Sequence, residues 1–87
     1  MNKIFSDIAW EQYQSWIATD KKVLKKINDL ILDIERNGNE GIGKPEALKN
    51  ELSGFWSRRI TDVHRLVYSV DGDSIYIAKC KYHYSEK

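Results

Sequence analysis

Glu46, Arg65 and His83 are widely separated in the chain, yet they are the residue types that metal-free RNA cleavage requires. In that reaction the 2′-hydroxyl loses a proton as it attacks the adjacent phosphorus. The 5′-oxygen gains a proton as it leaves, and the charge building on the phosphate must be offset. Glu46, in GKPEALK, is a candidate base. His83, in CKYHY, is a candidate acid, because an unperturbed imidazole titrates near neutrality. Arg65 keeps its charge, and its planar fork reaches two phosphate oxygens. Arg59 and Lys49 are candidates for binding neighbouring phosphates, while Tyr82 and Tyr84 offer rings for base stacking. The chemistry calls for no cofactor and no metal.

Each of these residues also has an ordinary reading. His83 alone suits a surface, Glu46 a solvated loop, and Arg65 a cross-strand ion pair. Arg58 and Arg59 suit a solvated face or a protein-binding patch. Residue types and spacing therefore permit a nuclease, and they permit a small protein-binding module at least as well.

Composition narrows the frame. A chain of 87 residues is expected to form one domain, 1–87, and 41% hydrophobic residues with three tryptophans supply a dense core. A net charge of +1 argues against a polybasic arm, but lysines and arginines gather locally at 21–26, 58–65 and 79–81. The single cysteine forms no internal disulfide, and with two separated histidines it makes a poor metal site. No apolar run suits a signal peptide or a membrane span, so a reducing cytoplasm is expected.

The elements that must position the candidate residues follow from periodicity. NKIF is a possible first strand. Ser6 or Asp7 caps a helix whose stripe of Ala9, Trp10, Tyr13, Trp16 and Ile17 reads as core packing. Thr19 and Asp20 mark a cap and restart. KKVLKKINDLILDIERN is then a second helix, burying Val23, Ile27, Leu30, Ile31 and Ile34. NGNEGIGKP leaves no room for a regular element. SGFWSRRI, RLVYSV and SIYIAKCKYHY read as strands, the last two joined at DGD. The expected fold is α+β, with two N-terminal helices packed on a mostly antiparallel sheet. A three-residue loop, Asp71 to Asp73, would pair Val70 with Ser74. Arg65, Val67, Ile77, Lys79, Lys81 and His83 would then share one face, with Leu66, Tyr68, Val70, Tyr76, Ala78 and Cys80 on the other. That register is preferred over a two-residue Asp-Gly turn, which would separate Arg65 from His83 by parity, because it segregates the charges; a bulge would change this locally.

The aromatic-rich first helix, TDKKVLKKIN, GIGKPEALKNELSGFWSRRITDVHRLVYSV and KCKYHY together resemble the Txe/YoeB toxin family, within the RelE/ParE toxin superfamily. The resemblance covers essentially the whole chain. It implies a RelE/YoeB-like microbial ribonuclease fold. It also implies a ribosome-dependent endoribonuclease of a toxin–antitoxin system, cutting mRNA in the A site of the 70S ribosome. Implied partners are a cognate YefM-like antitoxin, operator DNA through the antitoxin complex, and a second copy in a homodimer; no membrane is implied. Carried over by motif, the general base falls on Glu46, the general acid on His83 and the phosphate-stabilising arginine on Arg65. Lys49 and Arg59 match basic residues that help hold RNA or the transition state, and Tyr84 matches a terminal substrate-positioning tyrosine. Two departures stand out. The chain adds Ser85, Glu86 and Lys87 beyond the position where the family commonly ends, so Tyr84 does not carry the terminal carboxylate. In EALKNE it also lacks a second proline and a histidine that relatives can carry.

Overall fold

The computed structural model describes residues 1–84, so the expected effect of Ser85–Lys87 concerns residues outside those described. The elements run β1 (Asn2–Phe5), α1 (Asp7–Thr19), α2 (Lys21–Asn37), β2 (Glu46–Ala47), a 3-10 turn (Asn50–Leu52), β3 (Trp56–Arg59), β4 (Arg65–Asp71) and β5 (Ser74–Lys79). They form one five-stranded sheet in the order β1-β5-β4-β3-β2. Among the described residues, only the β1–β5 pairing is parallel.

Side-chain caps define the helices. The Ser6 hydroxyl accepts from the Ala9 N–H at 3.0 Å and starts α1. Asp20 ends one helix and begins the next. Its N–H donates to the Trp16 carbonyl, while its carboxylate accepts from the Lys22 and Val23 N–H groups. One residue thus satisfies orphan groups of both helix ends, which lets α2 follow α1 without a linker.

The second helix buries the five expected apolar residues. The first helix departs from expectation. Ala9 and Trp16 are buried, but Trp10 is 50% and Ile17 43% exposed. Trp10 lies instead across the Phe5 ring at 5.6 Å and the Tyr13 ring at 6.0 Å. Its stripe is wider than the surface the sheet and α2 offer. The rest of the core comes from the helix-facing side of the sheet: Leu66, Tyr68, Ile75, Ile77 and, just past β5, Cys80.

The central hairpin corrects two expectations at once. Its turn has two residues, Gly72 and Asp73, with Asp71 paired to Ser74 and Val70 to Ile75. Gly72 adopts φ 57°, a conformation glycine takes without a steric penalty. Ile75 and Ile77 therefore enter the core, and Tyr76 turns outward. The ladder then shifts. Tyr68 pairs with Ile77 but Val67 with Lys79, leaving Ala78 as a bulge. The bulge is held by Ser6, whose hydroxyl donates to the Ala78 carbonyl at 2.7 Å and whose N–H donates to the Ile77 carbonyl at 2.9 Å. Beyond it the expected parity returns, with Cys80 inward and Lys79 beside Val67 on the outer face.

Candidate active site

The face of the sheet turned away from the helices gathers the candidates. Glu46 pairs with Ser57, Ser57 with Val67, and Val67 with Lys79, forming one row across β2, β3, β4 and β5. The next row holds Arg59 directly opposite Arg65. Two like charges facing each other across a strand pair are unfavourable without an anion between or above them. The Arg65 guanidinium is oriented by donating to the Thr61 carbonyl at 2.8 Å and the His64 carbonyl at 3.1 Å. Lys49 is exposed where the chain enters the 3-10 turn, three residues after Glu46.

Residues 80–84 are not part of the strand, contrary to the single long strand expected through Tyr84. They are nevertheless pinned. The Cys80 N–H donates to the Gln12 side chain at 2.7 Å, and the Trp16 indole donates to the Cys80 carbonyl at 2.9 Å. Tyr82 sits at φ 63°, in the left-handed region, and turns the chain. Its N–H donates to His64 Nδ1 at 2.8 Å, and its carbonyl accepts from the Arg65 N–H at 3.1 Å. The turn brings His83 and Tyr84 together, their rings stacked with centroids 4.6 Å apart. The Tyr84 hydroxyl donates to Glu46 Oε1 at 3.2 Å, which links the two ends of the candidate site. His83 Nδ1 lies 2.8 Å from the Tyr84 carbonyl oxygen. A carbonyl only accepts, so Nδ1 carries a proton, and Nε2 is the nitrogen turned to other partners. Lys79 Nζ donates to the His83 carbonyl at 2.9 Å.

The loop before Glu46 is positioned by a residue read as surface or patch. Arg58 is 0% exposed. Its guanidinium donates to Asp33, to the Ile42, Gly38 and Glu40 carbonyls and to the Tyr68 hydroxyl. Alternation explains the correction: adjacent arginines on one strand point to opposite faces, so with Arg59 outward Arg58 must enter the core. The loop also needs Gly43. At φ 80°, a Cβ there would meet Leu30 at 2.7 Å and Arg58 at 3.2 Å, while the Gly43 carbonyl accepts from the Arg59 N–H at 2.7 Å.

The Arg58 guanidinium holds the Asp33 carboxyl below the usual carboxylate range, helped by the Ile42 N–H and the Asn37 amide against the opposing effect of desolvation. A depressed folded-state pKa stabilises the fold above the unfolded pKa, and that stabilisation is lost as pH falls through the folded value. Asp33→Asn is therefore expected to lower Tm at pH 7. It should also flatten the wild-type decline in Tm from about pH 4 downward. Thermal melts across pH check this; parallel wild-type and variant curves would contradict it.

Among the described residues, no helix is long and apolar enough to cross a membrane, and no group of three or more His, Cys, Asp or Glu is placed to hold a metal ion.

Residues 5–84 match the model of the YoeB-like toxins of bacterial type II toxin–antitoxin systems. The chain is 58% identical over 84 residues to the toxin YoeB of Escherichia coli strain K12, a match covering 97% of this chain and all of that protein. It is 56% identical to the YoeB of a heterotetrameric YoeB–YefM toxin–antitoxin complex from Staphylococcus aureus, with a TM-score of 0.92 over 97% of this chain and 98% of that one. A structure of the Staphylococcus aureus YoeB dimer gives the same identity, coverage and TM-score. A match spanning nearly the whole chain, together with a sheet that superposes on these toxins, shows that the protein belongs to the YoeB-like toxins of bacterial type II toxin–antitoxin systems.

Proposed function

We propose that this toxin is a ribosome-dependent mRNA endoribonuclease acting in the A site by acid–base chemistry without a metal. The observation that carries the proposal is the Tyr84–Glu46 hydrogen bond, which brings the segment bearing His83 over the face that presents Glu46, Arg59 and Arg65. Glu46 accepts the 2′-hydroxyl proton. His83 enters the step as the imidazolium, its Nδ1–H kept on the Tyr84 carbonyl, and protonates the leaving 5′-oxygen from Nε2. Arg65, with Arg59 opposite, offsets the charge on the phosphate, and Lys49 holds the neighbouring backbone. Tyr84 positions the substrate and must release Glu46 as it does so. The products carry a 2′,3′-cyclic phosphate and a 5′-hydroxyl.

The ribosome's contribution is orientation. A codon held single-stranded and bent brings the 2′-oxygen toward in-line attack. In this reading the protein works in the cytoplasm as one domain. The YefM-bound and dimeric Staphylococcus aureus structures support a YefM-like antitoxin and a homodimer as its partners, with operator DNA contacted through the antitoxin complex.

Primer extension in a purified translation system tests the proposal. A discrete cut in the A-site codon is expected on programmed ribosomes and is absent on naked mRNA. Stalling without a cut, or equal cutting of naked mRNA, would overturn it.

A further inference from the structure

His64 has no part in the reaction as described, yet it occupies the junction between the candidate site and the core. Its ring meets Trp16 edge-on at 4.9 Å and Tyr82 at 5.9 Å. Its Nδ1 accepts the Tyr82 N–H at 2.8 Å. The next backbone contact is the Arg65 N–H donated to the Tyr82 carbonyl. Both polar backbone groups of Tyr82 are therefore held by two consecutive residues, His64 at the end of the β3–β4 loop and Arg65 at the start of β4. Tyr82 itself adopts φ 63°, which a bulky non-glycine residue avoids unless its surroundings enforce it. The next two residues are His83 and Tyr84. A relaxation of Tyr82 to extended backbone would redirect both.

We propose that His64 is a positioning residue, whose neutral imidazole, accepting at Nδ1, locks Tyr82 in its left-handed conformation and so aims His83 and Tyr84 at the Glu46–Arg65 face. This rests on the nuclease reading for its consequence but not for its geometry. The acceptor role fixes the tautomer, with the proton on Nε2. A proton on Nδ1 would turn the acceptor into a donor facing another donor, and the latch would open.

The charged groups around the ring oppose that proton. Lys81 comes from the C-terminal segment, its ammonium 4.9 Å from the Trp16 ring centroid and 5.5 Å from that of Tyr82. Arg65 comes from β4, its guanidinium on the His64 carbonyl. The Tyr82 ring also lies against the imidazole, with centroids 5.9 Å apart. Burial, and then Lys81, hold the His64 pKa below its ordinary value, so the latch stays closed at neutral pH and opens in acid.

Amide hydrogen exchange at Tyr82, expressed as protection relative to the intrinsic rate, reads the latch directly. Single-turnover cleavage on programmed ribosomes reads its consequence. His64→Ala should abolish Tyr82 protection and slow cleavage by on the order of 10²-fold, the scale of a small misplacement of reacting groups. An asparagine places its amide oxygen near the position of Nδ1 and takes up no proton, whereas a glutamine places it too far out. His64→Asn should therefore restore most of the protection and rate, and His64→Gln should not. In the wild type, protection should fall as pH drops through the His64 titration, and in His64→Asn it should stay flat. Persistence of Tyr82 protection in His64→Ala would overturn the latch, as would equal loss in the Asn and Gln variants. A wild type that cuts no mRNA would sink the nuclease reading, while the exchange data would still decide the latch.

Discussion

Substituting glutamine for His83 is expected to slow single-turnover mRNA cleavage on programmed ribosomes by roughly 10²–10⁴-fold, while leaving ribosome binding nearly unchanged. The reason lies in how the ring is held. Nδ1 faces the Tyr84 carbonyl at 2.8 Å, so Nε2 is the nitrogen available to a leaving oxygen. Glutamine is uncharged and has no acidic proton to give at neutral pH. The binding cations, Arg59, Arg65 and Lys49, are untouched. A substrate with sulfur at the scissile 5′ position separates acid from base, because a thiolate leaves without being protonated. His83→Gln should regain most of its rate on that substrate, and Glu46→Gln should not, since proton removal from the 2′-hydroxyl is still required. Equal deficits on both substrates would remove His83 from the acid role.

The candidate residues were legible in the sequence through their types and motifs, and part of their placement follows from simple parity in the sheet. Arg59 and Arg65 face each other because β3 and β4 are joined by a short loop and alternate regularly. The residues at the C-terminal end were harder to place. The expected hairpin register was wrong by one residue, and the bulge at Ala78 returned Lys79 to the expected face. A bulge anchored by Ser6, more than seventy positions away, leaves no trace in a local pattern. The left-handed Tyr82 is equally hidden, since nothing about a tyrosine between lysine and histidine announces positive φ. Short β2 was missed because GKPEALK contains proline and no alternation, and two residues suffice when β3 supplies the template. By contrast, the caps at Ser6 and Asp20 and the apolar face of α2 are local signals, and each appears where the residues predict. The wide aromatic stripe of α1 misled because periodicity reports a face without reporting how much of it a partner covers.

Replacing Arg58 with methionine should destabilise the fold by about 3–5 kcal/mol, the usual scale for removing one partner of a buried ionic network. In a domain of this size each kcal/mol moves Tm by roughly 4–8 °C, so the shift is large. Five acceptors lose a donor together: Asp33, three loop carbonyls and the Tyr68 hydroxyl. Lysine should rescue little, because a compact ammonium with three donors cannot span acceptors arranged around a planar fork. If the ion pair alone mattered, changing Asp33 and Arg58 together to apolar residues would recover the loss. It is expected to recover only part, since the Gly38, Glu40 and Ile42 carbonyls would still lack their donor. Those carbonyls belong to the loop that ends at Glu46. The stability defect should therefore be accompanied by slower cleavage even where denaturant titration shows the variant fully folded. Normal cleavage by a folded Arg58→Met protein would mean that β2 pairing alone holds Glu46 in place and that Arg58 serves the core.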